Sequence, residues 1–435
     1  MLERARDGAF TALSGRGFYG WWILGVAALG IFASGPGQSH TFSVFVAPIA
    51  EDLGVTPAAV ASAYAVATMI AAFGLPFMGR LTDRHGPRRM TLIVTFALGI
   101  ACLLFGAAAN LLVLGLGFAA LRFLGQGSLM LNCANLVSQW FNRKRGFAMS
   151  LMALGFAGSM AVHPPLGQAL IEAFGWRWAW VLLGLLTWMI LLPPVWLLVH
   201  DKPEAKGLEP DGGDAAATVA IGAKPVGPKP VGADIGLTLA EALRTPAFYL
   251  VVTGMFSISM LVTTLHFYQV TIFTGHGLDA GAAARLFPIS AVVMVLTMPL
   301  VGRLLDRLRT RFAFALALVV QAVSLLGASL VTDVVSASLF AAVFGLNNAC
   351  SMTLFGYIFP RYFGRKHLGS IQGAGQTILV IGASAGPPLI GYAAELTGGF
   401  EAPLRVAALY PLACAVLAAL FLRTPAPLDA HVARD

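Results

Sequence analysis

Long apolar runs separated by short polar stretches dominate the pattern along this chain. The runs follow one another, each about as long as the 20 residues that a helix needs to cross the hydrocarbon core of a membrane. Their hydrophobic residues are continuous rather than alternating, which argues against the strands of a membrane barrel. The pattern therefore predicts an all-α membrane protein with twelve transmembrane helices. The predicted spans are 18–48, 57–79, 90–109, 111–139, 146–171, 178–199, 246–274, 281–302, 312–331, 335–360, 369–394 and 403–422.

One long polar stretch interrupts the apolar pattern near the middle of the chain. Residues 200–241 are first polar and then rich in Ala, Gly and Pro, a composition typical of an extended, flexible linker. We therefore expect an N-terminal six-helix bundle over 1–199, a cytoplasmic linker over 200–241, and a C-terminal six-helix bundle over 242–435. The segment Leu237–Leu243 is expected to form a short surface helix before the seventh span.

The charge distribution supports this interpretation and predicts an orientation. Only 11% of the 435 residues are charged, whereas a soluble domain carries roughly 25%. Lys and Arg concentrate in alternate loops, in the linker and at both termini, while the opposite loops hold only Arg177, Arg285 and Arg405. The positive-inside rule then places both termini and the linker in the cytoplasm, with the chain in the inner (plasma) membrane. The net charge of +8 is loop charge and predicts no nucleic-acid partner.

The sequence gives no convincing motif of an enzyme or of an ATP-driven pump. It contains no phosphate loop, no dinucleotide fingerprint and no zinc spacing. Gly382–Gly386 matches the nucleophile-elbow pattern, but that motif needs a strand-to-helix turn, and here it lies inside an apolar run. Each of the four cysteines lies inside an apolar run, where a small buried residue is expected. We therefore predict that the protein is not an enzyme, that it needs no cofactor, and that it binds no metal.

A short charged loop lies between the second and third apolar runs. Its sequence, Gly79–Arg89, places four arginines around one carboxylate, Asp83. We expect Gly79 and Gly86 to permit close backbone approach. A weaker copy follows at Gly302–Arg311, about half the chain later, and shares the pattern Gly-Arg-Leu-x-Asp-Arg. Such an internal repeat is typical of transporters that are built from two halves.

The first of these loops resembles the signature between spans two and three of the major facilitator superfamily. Further segments together resemble bacterial monocarboxylate porters and the related oxalate/formate antiporters, so that the resemblance covers nearly the whole chain. These segments are Gly17–Trp22, Trp140–Ala148, Lys202–Gly212, Tyr362–Gly369 and Gly386–Gly391. The resemblance implies two six-helix bundles around a central cavity, with access that alternates as the two halves rock.

The resemblance also implies that the charged loops connect helices on the cytoplasmic side. By position, Asp83 and its arginines would help to hold the outward-open state. Simple loop solvation is the alternative. The predicted gating residues are Gly79, Asp83, Arg84, Gly86, Arg88, Asp306 and Arg307.

Polar side chains inside the spans are few, and each is a functional candidate because it is costly to bury in a membrane. No Asp or Glu lies in the middle of a span. The predicted substrate-binding residues are His40, Arg122, Asn132, Asn135, His266, Gln269, Asn347 and Gln376.

His40 and Arg122 are the most specific of these candidates. His40 follows the break Gly35–Gly37, and the resemblance aligns it with a functional lysine of some monocarboxylate transporters. A histidine there can bind a carboxylate and take up a proton near neutral pH; the alternative is a hydrated residue near the outer surface. Arg122 can stabilise a substrate anion, or it can extend to the membrane interface.

The remaining candidates have equally plain alternatives. Asn132 and Asn135 share a helical face and can orient a carboxylate, or they can form bonds between helices. His266 matches a span-seven histidine of bacterial relatives by resemblance. His163, which precedes two prolines, is interpreted as a packing residue at a kink.

The chain departs from the implied family at two places. Met294 and Met298 stand where monocarboxylate carriers often place an acid and an arginine in span eight, and residues 370–394 contain no cation. A dicarboxylate such as oxalate is therefore disfavoured, and the expected substrate is a monocarboxylate. A weakly charged, larger or more apolar acid fits these departures, and a neutral substrate is a further alternative. The alternative is an exporter of hydrophobic compounds, which Met294 and Met298 would suit.

The predicted partners are a small organic anion and the lipid bilayer, and the carrier is expected to work as a monomer. Protons are a further candidate. Because no carboxylate lies in the middle of a span, a histidine or the substrate acid itself must carry any coupled proton. Facilitated exchange of the anion needs no coupled proton and therefore no proton carrier. A membrane sensor on a transporter fold is disfavoured, because the linker is too short for a folded output domain.

Overall fold

The computed structural model describes residues 8, 10–15, 17–141, 144–212, 236–364 and 368–423. In this part of the chain, β-structure is confined to one isolated bridge between Gly236 and Gly364. The helices are α1 Gly20–Ala33, α2 Ser39–Phe42, α3 Val46–Leu53, α4 Pro57–His85, α5 Pro87–Gly106, α6 Leu111–Leu121, α7 Met130–Trp140, α8 Arg145–Leu198, α9 Leu239–Ala242, α10 Pro246–Gly275, α11 Ala280–Ala284, α12 Phe287–Arg307, α13 Thr310–Ser329, α14 Val334–Phe363, α15 Leu368–Thr397, α16 Glu401–Ala407 and α17 Leu409–Phe421.

The predicted all-α membrane fold is confirmed. Within the described residues, 10 helices are long and apolar enough to cross a membrane. One of them, α8, has 54 residues and contains Gly175 in a non-helical conformation with φ 76°, so it holds two predicted spans. The first predicted span consists of the shorter apolar helix α1 followed by a break, so it is not among these 10 long helices. The helices therefore accommodate the twelve predicted crossings.

The first span breaks where the sequence predicted a break. After α1 ends at Ala33, Gly35–Gly37 form a single 3₁₀ turn and α2 begins at Ser39. The Thr41 hydroxyl donates a 2.6 Å hydrogen bond to the Gly35 carbonyl, which lies in the interrupted stretch. Irregular backbone at membrane depth persists only where protein groups or a water-filled cavity satisfy it.

Small residues allow helices to approach each other closely in both halves of the chain. In α8, Gly155 lies directly against the carbonyl of Ala28 in α1. In α15, a Cβ added at Gly382 would lie 3.0 Å from the Phe256 carbonyl oxygen of α10. Gly386, also in α15, lies directly against the backbone carbonyl of Met260 in α10. Such small residues let helices pack closely in a membrane.

The contacts divide the chain into two compact units. The first contains residues 1–49 and 66–225, and the second contains 50–65 and 226–435. In the first unit α1 and α5 pack along α8, and in the second unit α10 packs along α15. The predicted bundle boundaries at residues 199 and 242 stay a prediction.

The structure describes only part of the predicted linker. Residues 213–235, which hold most of its Ala/Gly/Pro-rich sequence, lie outside the described residues. The expected short surface helix is present as α9. Its first turn is closed by Thr238 and Glu241, because each side chain bonds the backbone N–H of the other residue.

Candidate functional site

Two irregular backbone segments meet inside the first unit. One is the turn Gly35–Gly37 in the first span, and the other is a π-helical segment, Arg122–Leu129, between α6 and α7. They touch through two glycines, since a Cβ added at Gly125 would lie 2.9 Å from the Cα of Gly37. Wider π-helical turns within α-helices occur frequently at functional sites. The crossing of these segments is therefore the centre of the candidate site.

Arg122 holds this crossing together. Its side chain is 4% exposed, and it begins the π-helical segment. The Nη1 group donates a 3.0 Å hydrogen bond to the Gly37 carbonyl, and Nε donates a 3.1 Å bond to the Thr68 hydroxyl of α4. The guanidinium therefore joins the broken first span, span two and span four with a positive charge at their junction.

His40 lies on α2, directly after the break, and its side chain is 1% exposed. Its Nε2 atom is 3.1 Å from the Ser159 hydroxyl of α8. The same hydroxyl is 3.1 Å from Nδ1 of His163, one helical turn further along α8. The ring of Phe156 packs against His40 at 5.3 Å between centroids. Two imidazoles are thus connected through a single hydroxyl.

His163 has a packing role, as predicted, and also a polar one. Its ring lies over Gly35, where a Cβ could not fit, and packs against Phe32 at 5.0 Å. Its Nδ1 atom is also 3.1 Å from the carbonyl oxygen of Ser159. Sequence reasoning did not single out Ser159. The signal available was the spacing of Ser159 and His163, which places both on one helical face.

Asn132 and Asn135 lie away from Arg122, since ten residues of helix correspond to about 15 Å. Asn132 Oδ1 accepts a 2.6 Å hydrogen bond from the Thr82 hydroxyl near the end of α4. Asn135 Oδ1 accepts a 3.4 Å bond from Gln139. The structure thus places His40 and Arg122 at one break and puts the two asparagines nearer the charged loop.

The second unit contains the other four predicted residues. His266 and Gln269 are buried on α10, and the His266 ring lies 4.7 Å from Phe344 of α14. Within the residues that the structure describes, neither amide atom of Gln269 has a hydrogen-bond partner. Asn347 Nδ2 donates a 2.7 Å bond to Gln321. Gln376 is exposed on α15, apart from this buried set.

The charged loop expected at Gly79–Arg89 is mostly helical, because α4 continues to His85 and α5 begins at Pro87. This segment contacts a carboxylate that the sequence did not point to. Gly86 has φ 83°, and the next residues begin α5. The backbone N–H of Arg88 donates a 2.8 Å hydrogen bond to Asp201, from the segment after span six. The Arg88 side chain donates a 3.2 Å bond to the Trp196 carbonyl. Asp83, expected at the centre of the loop, is exposed.

The other predicted gating residues have less defined surroundings. Arg84 and Arg307 are exposed. The predicted close backbone approach at Gly79 is wrong, because a Cβ added there would meet no atom of the described residues within 4 Å. The side chain of Asp306 lies outside the described residues.

Comparison with known proteins decides the family. The family model of the Major Facilitator Superfamily matches residues 27–387 and 272–434. The chain belongs to the major facilitator superfamily. It is therefore a multi-pass membrane transporter, and the resemblance of the charged loop to this superfamily is confirmed.

Relatives of this superfamily chain include carriers of carboxylates. Mouse monocarboxylate transporter 11 is 25% identical over 89% of this chain and 84% of its own. The oxalate:formate antiporter of Oxalobacter formigenes is 24% identical over 64% of this chain and 61% of its own. The predicted branch of the superfamily is therefore confirmed.

A solved structure shows the same fold. It is a bacterial homologue of the human lysosomal transporter Spinster, in an inward-facing and unoccupied conformation. The TM-score is 0.67 at 16% identity, with 93% of this chain and 96% of the other covered. At this identity the likeness supports the fold alone.

Proposed function

We propose that this protein is a secondary transporter that moves a small organic anion, a monocarboxylate, by alternating access. The observation that carries the proposal is the position of Arg122. Its buried guanidinium lies at the crossing of two irregular backbone segments and donates to two uncharged oxygens, of Gly37 and Thr68.

The charge balance of the spans favours an anion at this place. No Asp or Glu lies in the middle of any span, so Arg122 brings positive charge into an apolar region. A carboxylate bound near Arg122 is attracted by this positive charge, and the attraction is stronger where water is scarce. Since Met294 and Met298 occupy the middle of span eight and residues 370–394 contain no cation, one carboxylate is favoured over two.

The relatives support the same class of substrate. Two of them are named for carrying monocarboxylates or for exchanging oxalate and formate. His40, three residues after Gly37, adds a second group at the break that can bind a carboxylate oxygen. This support does not extend to an exporter of hydrophobic compounds, for which Met294 and Met298 are the only argument.

The other predicted residues complete the proposal. His266, Gln269 and Asn347 are the polar groups that the second unit offers to a solute, and the buried amide of Gln269 presents both a donor and an acceptor. Asn132, Asn135 and Gln376 are included among the proposed substrate-binding residues only because they are polar amides inside predicted spans. The cytoplasmic position of both termini and a monomeric carrier are also proposed.

Counterflow in proteoliposomes tests the function. Vesicles that contain the purified protein and an unlabelled acid are diluted into the same labelled acid, with lactate, pyruvate, a branched 2-oxo acid and an aromatic acid tried in turn. We expect saturable uptake of at least one acid, and no competition by oxalate. If none of the four acids exchanges, or if oxalate competes best, the proposed substrate class is wrong.

A further inference from the structure

Two buried histidines in the first unit are linked by one hydroxyl across the break in the first span. The distances are 3.1 Å from His40 Nε2 to Ser159 Oγ and 3.1 Å from Ser159 Oγ to His163 Nδ1. All three side chains are buried. A hydroxyl can accept one hydrogen bond and donate another at the same time, so the three groups form a continuous hydrogen-bonded path.

We propose that His40, Ser159 and His163 form a proton relay that couples transport to proton movement. The inference rests on the proposed transport function, and it assigns Ser159 and His163 to proton coupling rather than to binding of the acid. His40 is the group at the break, and His163 lies on the other side of the Ser159 hydroxyl.

The transfer balances without any further reactant. It starts with His40 doubly protonated and with His163 carrying its proton on Nε2. The Nε2–H proton of His40 passes to Ser159 Oγ while the Ser159 hydroxyl proton passes to Nδ1 of His163. One N–H and one O–H bond break, and one O–H and one N–H bond form. The net result is that one proton and one positive charge move from His40 to His163.

The structure supports this path at both ends. The Ser159 carbonyl, 3.1 Å from His163 Nδ1, accepts the hydrogen bond of that atom once it is protonated. The rings of Phe156 and Phe32 pack against the two buried imidazoles. The Ser159 hydroxyl is then a short route for a proton between the two histidines.

The ionisable groups on the surrounding elements set the conditions for protonation. Arg122, from the π-helical segment, bonds Gly37 in the same break. Cys133 of α7 lies against α1 at Gly30. Further along α8 are Glu172 and Arg177, and α6 carries no ionisable residue.

Of these groups, Arg122 is the positive charge at the break. It disfavours a second positive charge on His40, whereas a bound carboxylate offsets it. Anion binding and proton uptake therefore favour each other.

The experiment separates proton coupling from transport itself. Labelled pyruvate is the first probe, with the other three acids as alternatives, and pyranine inside the vesicles reports internal pH. Counterflow of the acid needs no net proton movement, whereas accumulation driven by a pH gradient does. Wild-type protein is expected to show both, and to acidify the vesicle interior during uptake.

Ser159→Ala removes the central hydroxyl with little change in volume. We expect counterflow close to wild type, but a fall of about a hundredfold in the rate of proton-driven accumulation, the typical size of a positioned proton-transfer contribution. Ser159→Thr restores a hydroxyl and is expected to recover much of the accumulation. Ser257→Ala is the matched control, because it removes a buried hydroxyl from α10 in the second unit.

The possible results decide between the two proposals. If wild-type protein shows counterflow but net uptake of the acid does not acidify the vesicle interior, the relay is overturned and the transport function stands. No counterflow with any of the four acids overturns the transport function, and the relay with it. Accumulation by Ser159→Ala at the wild-type rate overturns the relay alone. If Ser159→Ala loses both activities equally, His163→Gln decides: an equal loss of both there also overturns the relay, and a selective loss of accumulation supports it.

Discussion

The carboxylate of Asp201 accepts a 2.8 Å hydrogen bond from the backbone N–H of Arg88, at the first turn of α5. The negative charge thus lies at a helix N-terminus, where unpaired N–H groups and the helix dipole stabilise an anion. Gly86 is required beside it, since a Cβ there would lie 2.6 Å from the Asp201 oxygen. The arginine-rich loop is therefore attached, within the first unit, to the segment that follows span six.

Removing the Asp201 carboxylate should loosen this attachment. We expect Asp201→Ala to lower the free energy of unfolding by about 1–2 kcal/mol, the usual cost of losing a helix-capping acceptor. Thermal unfolding of the detergent-purified protein measures the change. Glu204→Ala is the matched control, because Glu204 is an exposed carboxylate of the same segment. Equal unfolding temperatures for the two variants would show that the contact contributes nothing.

Gly37 should tolerate no side chain. A Cβ there would lie 2.5 Å from the Leu121 carbonyl oxygen and 2.8 Å from the Cα of Gly125, and backbone atoms cannot move aside. We expect Gly37→Ala to lower stability by about 1–3 kcal/mol through overpacking, and to reduce counterflow. The yield of monodisperse protein and its unfolding temperature are the measurements.

The first span offers a matched control for that change. Among the residues that the structure describes, a Cβ added at Gly25 in α1 would meet nothing within 4 Å. Gly25→Ala should therefore leave stability unchanged or raise it by up to about 1 kcal/mol, because Ala favours a helix more than Gly does. Similar losses in the Gly25 and Gly37 variants would mean that the close crossing at Gly37 is not what limits substitution.

The sequence predicts the fold well because the bilayer leaves so few alternatives. Continuous apolar runs must become helices, and the break at Gly35–Gly37 follows from two glycines around a proline. The same logic identifies His40 and Arg122, because each is an ionisable side chain inside an apolar run. These predictions need only local pattern and the energetic cost of polar groups in a membrane.

The parts that sequence reasoning missed depend on contacts between distant residues. Nothing near Asp201 in the chain indicates that it meets Arg88, and the nearer carboxylate, Asp83, was the natural expectation. Ser159 is one buried serine among many until His40 is placed beside it. The π-helical segment that begins at Arg122 shifts the helical register, and no residue pattern in the sequence predicts this shift.

The amide pair of Asn347 and Gln321 separates a structural role from a binding role. The isosteric changes Asn347→Leu and Gln321→Met each leave the other amide unpaired, so each should cost about 1–3 kcal/mol. The double variant should cost less than the sum, with a coupling energy of about 0.6–1.7 kcal/mol. Unfolding of the two single variants and the double variant measures this.

Transport by the same variants tests the proposed role of Asn347 in substrate binding. Gln321→Met removes the same hydrogen bond but leaves the Asn347 amide in place, so it is the matched control. We expect Gln321→Met to keep counterflow and Asn347→Leu to lose most of it. Equal counterflow in the two would remove Asn347 from the proposed substrate site.

Arg122 should not be replaceable by lysine. A lysine keeps the charge, but its compact ammonium group does not reproduce the planar fork with which the guanidinium donates to both the Gly37 carbonyl and the Thr68 hydroxyl. Losing one charged hydrogen bond costs about 1.5–3 kcal/mol, so we expect the apparent affinity for the acid to fall about tenfold to a hundredfold in Arg122→Lys.

Arg122→Gln removes the charge and should abolish counterflow. Thr68→Val removes only one acceptor and keeps the bond to Gly37, so its effect should be the smallest of the three. Concentration-dependent counterflow gives the apparent affinities, and unfolding temperatures confirm that each variant is folded. If folded Arg122→Gln exchanges the acid with wild-type affinity, the anion binds elsewhere.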